Sequence, residues 1–265
     1  MHPILIDTPF FTIHVLWVML AVSLIVATYT LIKISIKNNL KINFITENSG
    51  KLILVSLLGA RLFAIVINSS TYFYEFSLNT FFRLFHFWDK GLNFAGALTA
   101  FLLYLYHLCK KNDQDFWAWM DALIPSAILG LAIFHMGAFF DGINYGRETS
   151  LPWGVNFESP SIKYAVPIHP TQIYAFLYSA VISSVLIHLN YHNKKIRSMT
   201  KKGFLALIGI IAYNSLRLIE EFVRGDDVIM VFGIRISQIT TFVTLAVAIF
   251  YFKRRFFFGK LKTKN

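Results

Sequence analysis

Apolar residues run along this chain in seven long blocks, at about 10–32, 52–69, 91–109, 120–140, 170–191, 203–223 and 236–252. Each is near the ~20 residues that an α-helix needs to cross a bilayer. The pattern predicts seven transmembrane helices in an all-α integral membrane protein. No repeat or low-complexity tract interrupts the blocks. The first block lacks a basic leader, because MHPILIDTPF offers Asp7 and no Lys or Arg. It is expected to be retained as a helix rather than removed as a signal peptide.

The polar segments between the blocks alternate in charge. Lys33, Lys37, Lys41 and Lys51 fill the first, Lys110 and Lys111 the third, and Lys194, Lys195, Arg197, Lys201 and Lys202 the fifth. Lys253, Arg254, Arg255, Lys260, Lys262 and Lys264 make the end basic. The intervening loops hold only Arg83 and Lys90, Arg147 and Lys163, Arg224 and Arg235. Basic loops face the cytoplasm, which predicts an outer N-terminus and a cytoplasmic C-terminus. The chain 1–265 then reads as one transmembrane domain with a longer outer loop at 141–169 and a basic cytoplasmic tail at 253–265.

Composition agrees with this pattern. The chain is 56% hydrophobic and 15% charged, with a mean hydropathy of +0.57. A soluble domain carries about 25% charged residues. The 27 phenylalanines suit a lipid-facing surface and the 5 tryptophans suit interfaces. A net charge of +11 would fit nucleic acid. Its placement in short loops fits topology and anionic head groups instead, and no nucleic-acid partner is expected. The lone Cys109 excludes an intrachain disulfide and a cysteine-based metal site.

One block is anomalous. Segment 203–227 reads GFLALIGIIAYNSLRLIEEFVRGDD, with Asn214, Arg217, Glu221 and Arg224 spaced three, four and three apart. That spacing places them on one helical face. A charge at bilayer depth costs about 2.5–3.5 kcal/mol, and such residues usually face a bundle interior or a wet cavity. An ion pair at a helix end, with snorkelling stems, accounts for Glu221 and Arg224 as well as a site does. It accounts less well for Arg217, which lies two turns deeper. A guanidinium there suits phosphate, which it grips bidentately.

The predicted orientation carries His135, Asp141 and Asn144 of span 4 to the outer half of the bilayer. His169, Pro170, Thr171, Gln172 and Tyr174 of span 5 go there too, with Arg217, Glu221 and Arg224 of span 6. Arg61 lies near the middle of span 2. Each also has a structural reading: Arg61 paired with a buried carboxylate, His169 at a helix start, His135 buried with one hydrogen-bond partner. The Gly-rich loop 137–155, ending in Leu-Pro-Trp153, is either a connector or a partial cover resting on the membrane. No Walker loop, GxGxxG unit, HExxH or CxxC is present. The residues alone describe a multi-pass membrane protein with an outward-facing cationic cavity suited to a phosphate-bearing lipid.

At these residues the chain resembles the prolipoprotein diacylglyceryl transferases of bacteria, from about Gly59 to Gln238. GINYGRETSLPWGV followed by IHPTQIY resembles the family's signature region, and RLIEEFVRGDD its Arg-x-x-x-Glu-x-x-Arg helix. GARLF resembles its Gly-x-Arg-Leu, MDALIPSAILGLA the start of its fourth span, and ISQI the start of its last. The resemblance implies a multi-pass protein of the bacterial cytoplasmic membrane. It implies transfer of diacylglycerol from phosphatidylglycerol, or another anionic phospholipid, to the lipobox cysteine of a prolipoprotein. Glycerol phosphate leaves and a thioether forms. Arg217, His135 and Glu221 are the implied catalytic residues. Arg61, Arg224, Asn144, Gly146, His169, Gln172 and Tyr174 are implied for binding lipid and the prolipoprotein signal peptide. No metal or cofactor is implied.

The chain also departs from the family pattern. Ala95 stands where the family has the His of His-Gly-Gly, and Ala97 replaces its second Gly. In FHMGAF, His135 takes an Arg position and Ala138 an Asn position. Ile143 stands where Asn-Gly-Glu has its carboxylate, and Leu16 where a Tyr is expected. Three classes follow: a divergent transferase, a family member that binds phospholipid or lipoprotein precursor without turnover, and a small-anion or lipid transporter.

Overall fold

The fold is known from a computed structural model, which describes residues 3–69, 92–157, 162–192, 201–228 and 230–257. Arg83, Lys90, Lys194, Lys195, Arg197, Lys260, Lys262 and Lys264, counted above for orientation, lie outside the described residues. The chain forms two compact units, residues 1–39 with 117–265, and residues 40–116.

The larger unit opens with a hairpin of β1 (Ile4–Asp7) and β2 (Thr12–His14). The sequence predicts helix from about residue 10, and the structure starts α1 only at Val15 (Val15–Lys37). Asp7-Thr8-Pro9 turns the chain: Thr8 and Phe11 exchange hydrogen bonds, and the Thr12 hydroxyl donates to Asp7 at 2.9 Å. Side-chain turn bonds of this kind compete with helix for the same backbone groups.

Three further helices of this unit pack together: α4 (Phe116–Asp141), α5 (Thr171–His192) and α6 (Phe204–Glu221). Ile128, Leu186 and Leu205 form their shared core. The Asp121 carboxylate of α4 accepts from the backbone N–H of Gly203 at 2.6 Å and of Ala206 at 2.8 Å. A carboxylate from another helix thus satisfies the first amides of α6 and complements its dipole. A small hairpin, β3 (Met230–Val231) with β4 (Ile234–Arg235), leads into α7 (Ile236–Phe256), which packs on α6. Lys253, Arg254 and Arg255 fall in the last turn of α7.

The smaller unit is α2 (Ile42–Ile67) and α3 (Phe94–Lys111), in close contact. The predicted span began at residue 52; the helix begins ten residues earlier. Its first turns are polar, and Thr46, Asn48 and Ser49 bond back to backbone carbonyls of the preceding turn. The two helices touch where Gly59 meets Gly96. A Cβ on either glycine would collide with the other's backbone carbonyl. Small residues at such crossings are how helices approach closely in lipid. Arg61 is buried on α2.

The burial pattern is that of a protein solvated by lipid. Large apolar side chains point outward, among them Leu24 and Ile25 of α1, Leu54 and Leu62 of α2, and Val243 and Phe250 of α7. Small polar ones, including Ser23, Ser126, Ser179 and Ser183, are buried. Among the described residues, five helices are long and apolar enough to cross a membrane: α1, α2, α4, α5 and α7. This is an all-α membrane protein.

Candidate functional site

The site grows from the end of α6. Glu221 is fully buried, with 0% exposure, and is the hub. Its Oε1 pairs with Arg217 Nη2 at 2.9 Å and with Arg224 Nη1 at 3.1 Å. Its Oε2 accepts from the Ser237 hydroxyl at 2.7 Å and lies 3.3 Å from Arg235 Nε, an ion pair without hydrogen-bond alignment. Arg217 Nη1 also donates to Glu220 Oε1 at 2.8 Å. Glu220 Oε2 accepts from the Tyr178 hydroxyl of α5 at 2.7 Å. Asp226 clamps Arg224 and Arg235 together through both carboxylate oxygens. Three arginines thus meet three carboxylates, and the described cluster is charge-balanced. Balance is what burial requires, since an unpaired ion in low dielectric costs several kcal/mol.

The sequence predicts α6 to about residue 223 with Arg224 on the same helical stripe. The helix ends at Glu221, and Arg224 lies past it in a turn. The chain leaves the helix because loop pairing captures its backbone: Arg147 N–H donates to Val223 C=O at 2.8 Å, and Gly225 N–H to Tyr145 C=O at 2.9 Å. Arg224 still reaches Glu221, from outside the helix. Asn214 is separate from the cluster, bonded to Ile210 and Thr244.

The loop between α4 and α5 builds the opposite wall. Tyr145, Phe157, Ile162 and Ile168 give it an apolar core of its own. Asn144 adopts a left-handed φ of 59°, which Asn tolerates better than most residues. Its side-chain oxygen accepts from Arg224 Nη2 at 2.8 Å, and its carbonyl from the Thr171 hydroxyl at 2.6 Å. Gly146 N–H donates to His169 C=O at 3.1 Å. A Cβ at Gly146 would collide with that carbonyl, so the close approach needs glycine. Beside this wall a pocket of about 320 Å³ is lined by Arg147, Lys163, Arg224, Asp226 and Arg235, among others.

His135 of α4 is close enough to Arg217 and Arg224 for their charges to act on it. It is buried, and neither ring nitrogen has a hydrogen-bond partner. Gln172 donates to Ile143 C=O at 2.7 Å and leaves its side-chain oxygen unpartnered. Tyr174 serves a different group. Its hydroxyl accepts from Trp153 Nε1 at 2.8 Å and lies 3.2 Å from His169 Nδ1. With its oxygen taken by the indole, the hydroxyl proton is free for Nδ1. Burial holds the His169 imidazole below its ordinary value, so it is neutral at pH 7.

The structure therefore brings together Arg217, Glu221, Arg224, Asn144 and His135, with Gly146, His169 and Gln172 in the adjoining wall. Arg61 belongs to the smaller unit. Glu220, Asp226, Arg235, Ser237 and Tyr178 escape sequence reasoning. Glu220 falls one position off the stripe, and Arg235 reads only as a loop charge. Asking what neutralises three arginines would have pointed to the acidic residues.

The family model described as Prolipoprotein diacylglyceryl transferase matches residues 3–254. This chain belongs to that family. It is similar to the phosphatidylglycerol–prolipoprotein diacylglyceryl transferase of Prochlorococcus marinus strain MIT 9215, at 28% identity over 95% of this chain and 92% of the relative. The protein of that name from Corynebacterium diphtheriae is 29% identical over 74% and 72%. The one from Desulfotalea psychrophila is 30% identical over 76% and 73%.

Proposed function

We propose that this chain transfers a diacylglyceryl group from phosphatidylglycerol to an acceptor thiol, the lipobox cysteine of a prolipoprotein or a variant acceptor. The observation that carries the reading is His135: a buried imidazole with two unpartnered nitrogens, within electrostatic range of the Arg217 guanidinium. The reaction needs those two parts. The glyceryl C–O bond breaks with its electron pair staying on the phosphate, and a cation stabilises that charge. The S–C bond forms as the thiol gives up its proton, and a neutral imidazole can accept it. Arg217 holds the phosphate, Glu221 and Arg224 fix its orientation, and Gly146 with the Asn144 turn shapes the entrance. His169, Gln172 and Tyr174 border that entrance. Arg61 is assigned to substrate binding on the family resemblance alone.

The chain sits in the bacterial cytoplasmic membrane with seven spans, an outer N-terminus and a cytoplasmic C-terminus. The segment 141–169 is the outer loop and 253–265 the cytoplasmic tail. Helices α3 and α6 complete the seven. At 18 residues each they extend about 27 Å, close to the hydrocarbon thickness.

A second reading, phospholipid or precursor binding without transfer, is favoured by Ala95, Ala138 and Ile143 and by the two carboxylates already on Arg217. One experiment separates the two. Purified protein in phosphatidylglycerol liposomes is incubated with a lipobox peptide, and mass spectrometry follows diacylglyceryl addition. Transfer is expected, with His135→Ala slowing it about 100-fold or more and Arg217→Ala by at least as much. Lipid binding with no transfer supports the second reading. Unchanged rates in both variants refute the site assignment.

A further inference from the structure

Arg217 is not vacant. Its two terminal nitrogens are held by Glu220 at 2.8 Å and Glu221 at 2.9 Å. A lipid phosphate that takes Arg217 must displace one of them. Glu221 cannot leave cheaply, because it also pairs with Arg224, Arg235 and Ser237. Glu220 can: its partners are Arg217 and the Tyr178 hydroxyl alone among the bonds described. Its side chain is 3% exposed, so a displaced Glu220 carboxylate has no water to receive it. The charge count leads the same way. Adding one phosphodiester anion to a balanced, buried set of three arginines and three carboxylates leaves a net negative charge in low dielectric. Protonating one carboxylate restores the balance, and the protonated acid donates its O–H to Tyr178 once that hydroxyl turns to accept it.

We propose that Glu220 is an internal anion that occupies Arg217 in place of the lipid phosphate, and that phospholipid binding exchanges it, with Glu220 taking up one proton. The inference rests on the reading that Arg217 receives the phosphate. It makes Glu220 a positioning residue that sets the pH range over which the site accepts an anionic head group. The charged and titratable groups around it are Arg217, Tyr213 and Glu221 on its own helix, Tyr178 on α5 and Arg224 in the turn after α6. His135 on α4 also lies near Arg217 and is the rival source of any pH dependence.

The test titrates short-chain phosphatidylglycerol into the full-length protein in a neutral detergent from pH 5.5 to 8.5, with short-chain phosphatidylcholine as the uncharged control. Linkage of one proton to one anion predicts that affinity falls up to about tenfold per pH unit across the window where Glu220 changes state. Glu220→Gln should bind at least tenfold more tightly than wild type at pH 8 and show no slope. Glu220→Asp should keep the slope, which guards against a folding defect in the amide variant. His135→Gln should keep it too. A slope that survives in Glu220→Gln and vanishes in His135→Gln overturns the inference while leaving Arg217 as the phosphate site. Wild-type binding that does not exceed the phosphatidylcholine control, or that Arg217→Ala leaves intact, overturns the phosphate reading and this inference with it.

Discussion

At the scale of single residues, cost decided what was visible. Arg217 stands out in the sequence because a guanidinium amid apolar residues must have a reason. Asp226 and Arg235 of the same cluster do not stand out, because each lies in a segment where charge is ordinary. Asp226 is the clearest case. Burial pushes its carboxyl up, but hydrogen bonds and charge from Arg224 and Arg235 more than offset this and hold it below the usual carboxylate value. A depressed value means the folded state favours the ionised form. The stabilisation is complete above the unfolded value of about 3.9 and is lost as pH falls through the folded one. Asp226→Asn leaves two arginines short of a partner. Thermal unfolding in detergent at pH 7 should show a loss on the order of 3 kcal/mol. At pH 3 the gap between variant and wild type should narrow, because the unfolded carboxyl, at its ordinary value of about 3.9, is then mostly protonated while the folded one is held lower. An equal gap at both pH values would show that Asp226 does not act through its charge.

At the scale of elements, hydropathy located the helices and local chemistry moved their ends. Phe10 to His14 fall in the first apolar block, yet the Asp7-Thr8-Pro9 turn folds the chain back and Thr12–His14 form a strand. Residues 42–51 look like a loop because they are polar, yet they extend α2 by nearly three turns. Helix needs only backbone pairing and tolerable side chains, not apolarity. The helix contact in the smaller unit gives a sharp comparison within one helix. At Gly59 an added Cβ meets Ala100 and the Gly96 carbonyl, whereas at Gly50 it meets nothing within 4 Å. Gly59→Ala should destabilise by about 1–3 kcal/mol through overpacking. Gly50→Ala should stabilise by about 0.5–1 kcal/mol by restricting the unfolded backbone. Thermal shifts of opposite sign would confirm the packing, and a neutral Gly59→Ala would refute it.

At the scale of the whole molecule, the alternating basic loops predict the orientation. A fluorescent protein fused after residue 265 should light up in a bacterial host, since it folds in the cytoplasm, and alkaline phosphatase at the same point should be inactive. The reverse result would invert the topology and place the Arg217 cluster at the inner face. Class, helix positions and an arginine set within an apolar helix were legible in the sequence, because each follows from the price of putting charge or backbone into lipid. The rest of the cluster around it was not. Glu220, Tyr178, Asp226, Ser237 and Arg235 lie on α5, on α6, in the turn after α6, and around the start of α7. Only the packing of α5, α6, the loop before α5 and the hairpin before α7 brings them within 3 Å. Transfer cost is a property of one residue and can be read in order along the chain. Charge compensation is a property of positions in space, and tertiary structure alone decides it.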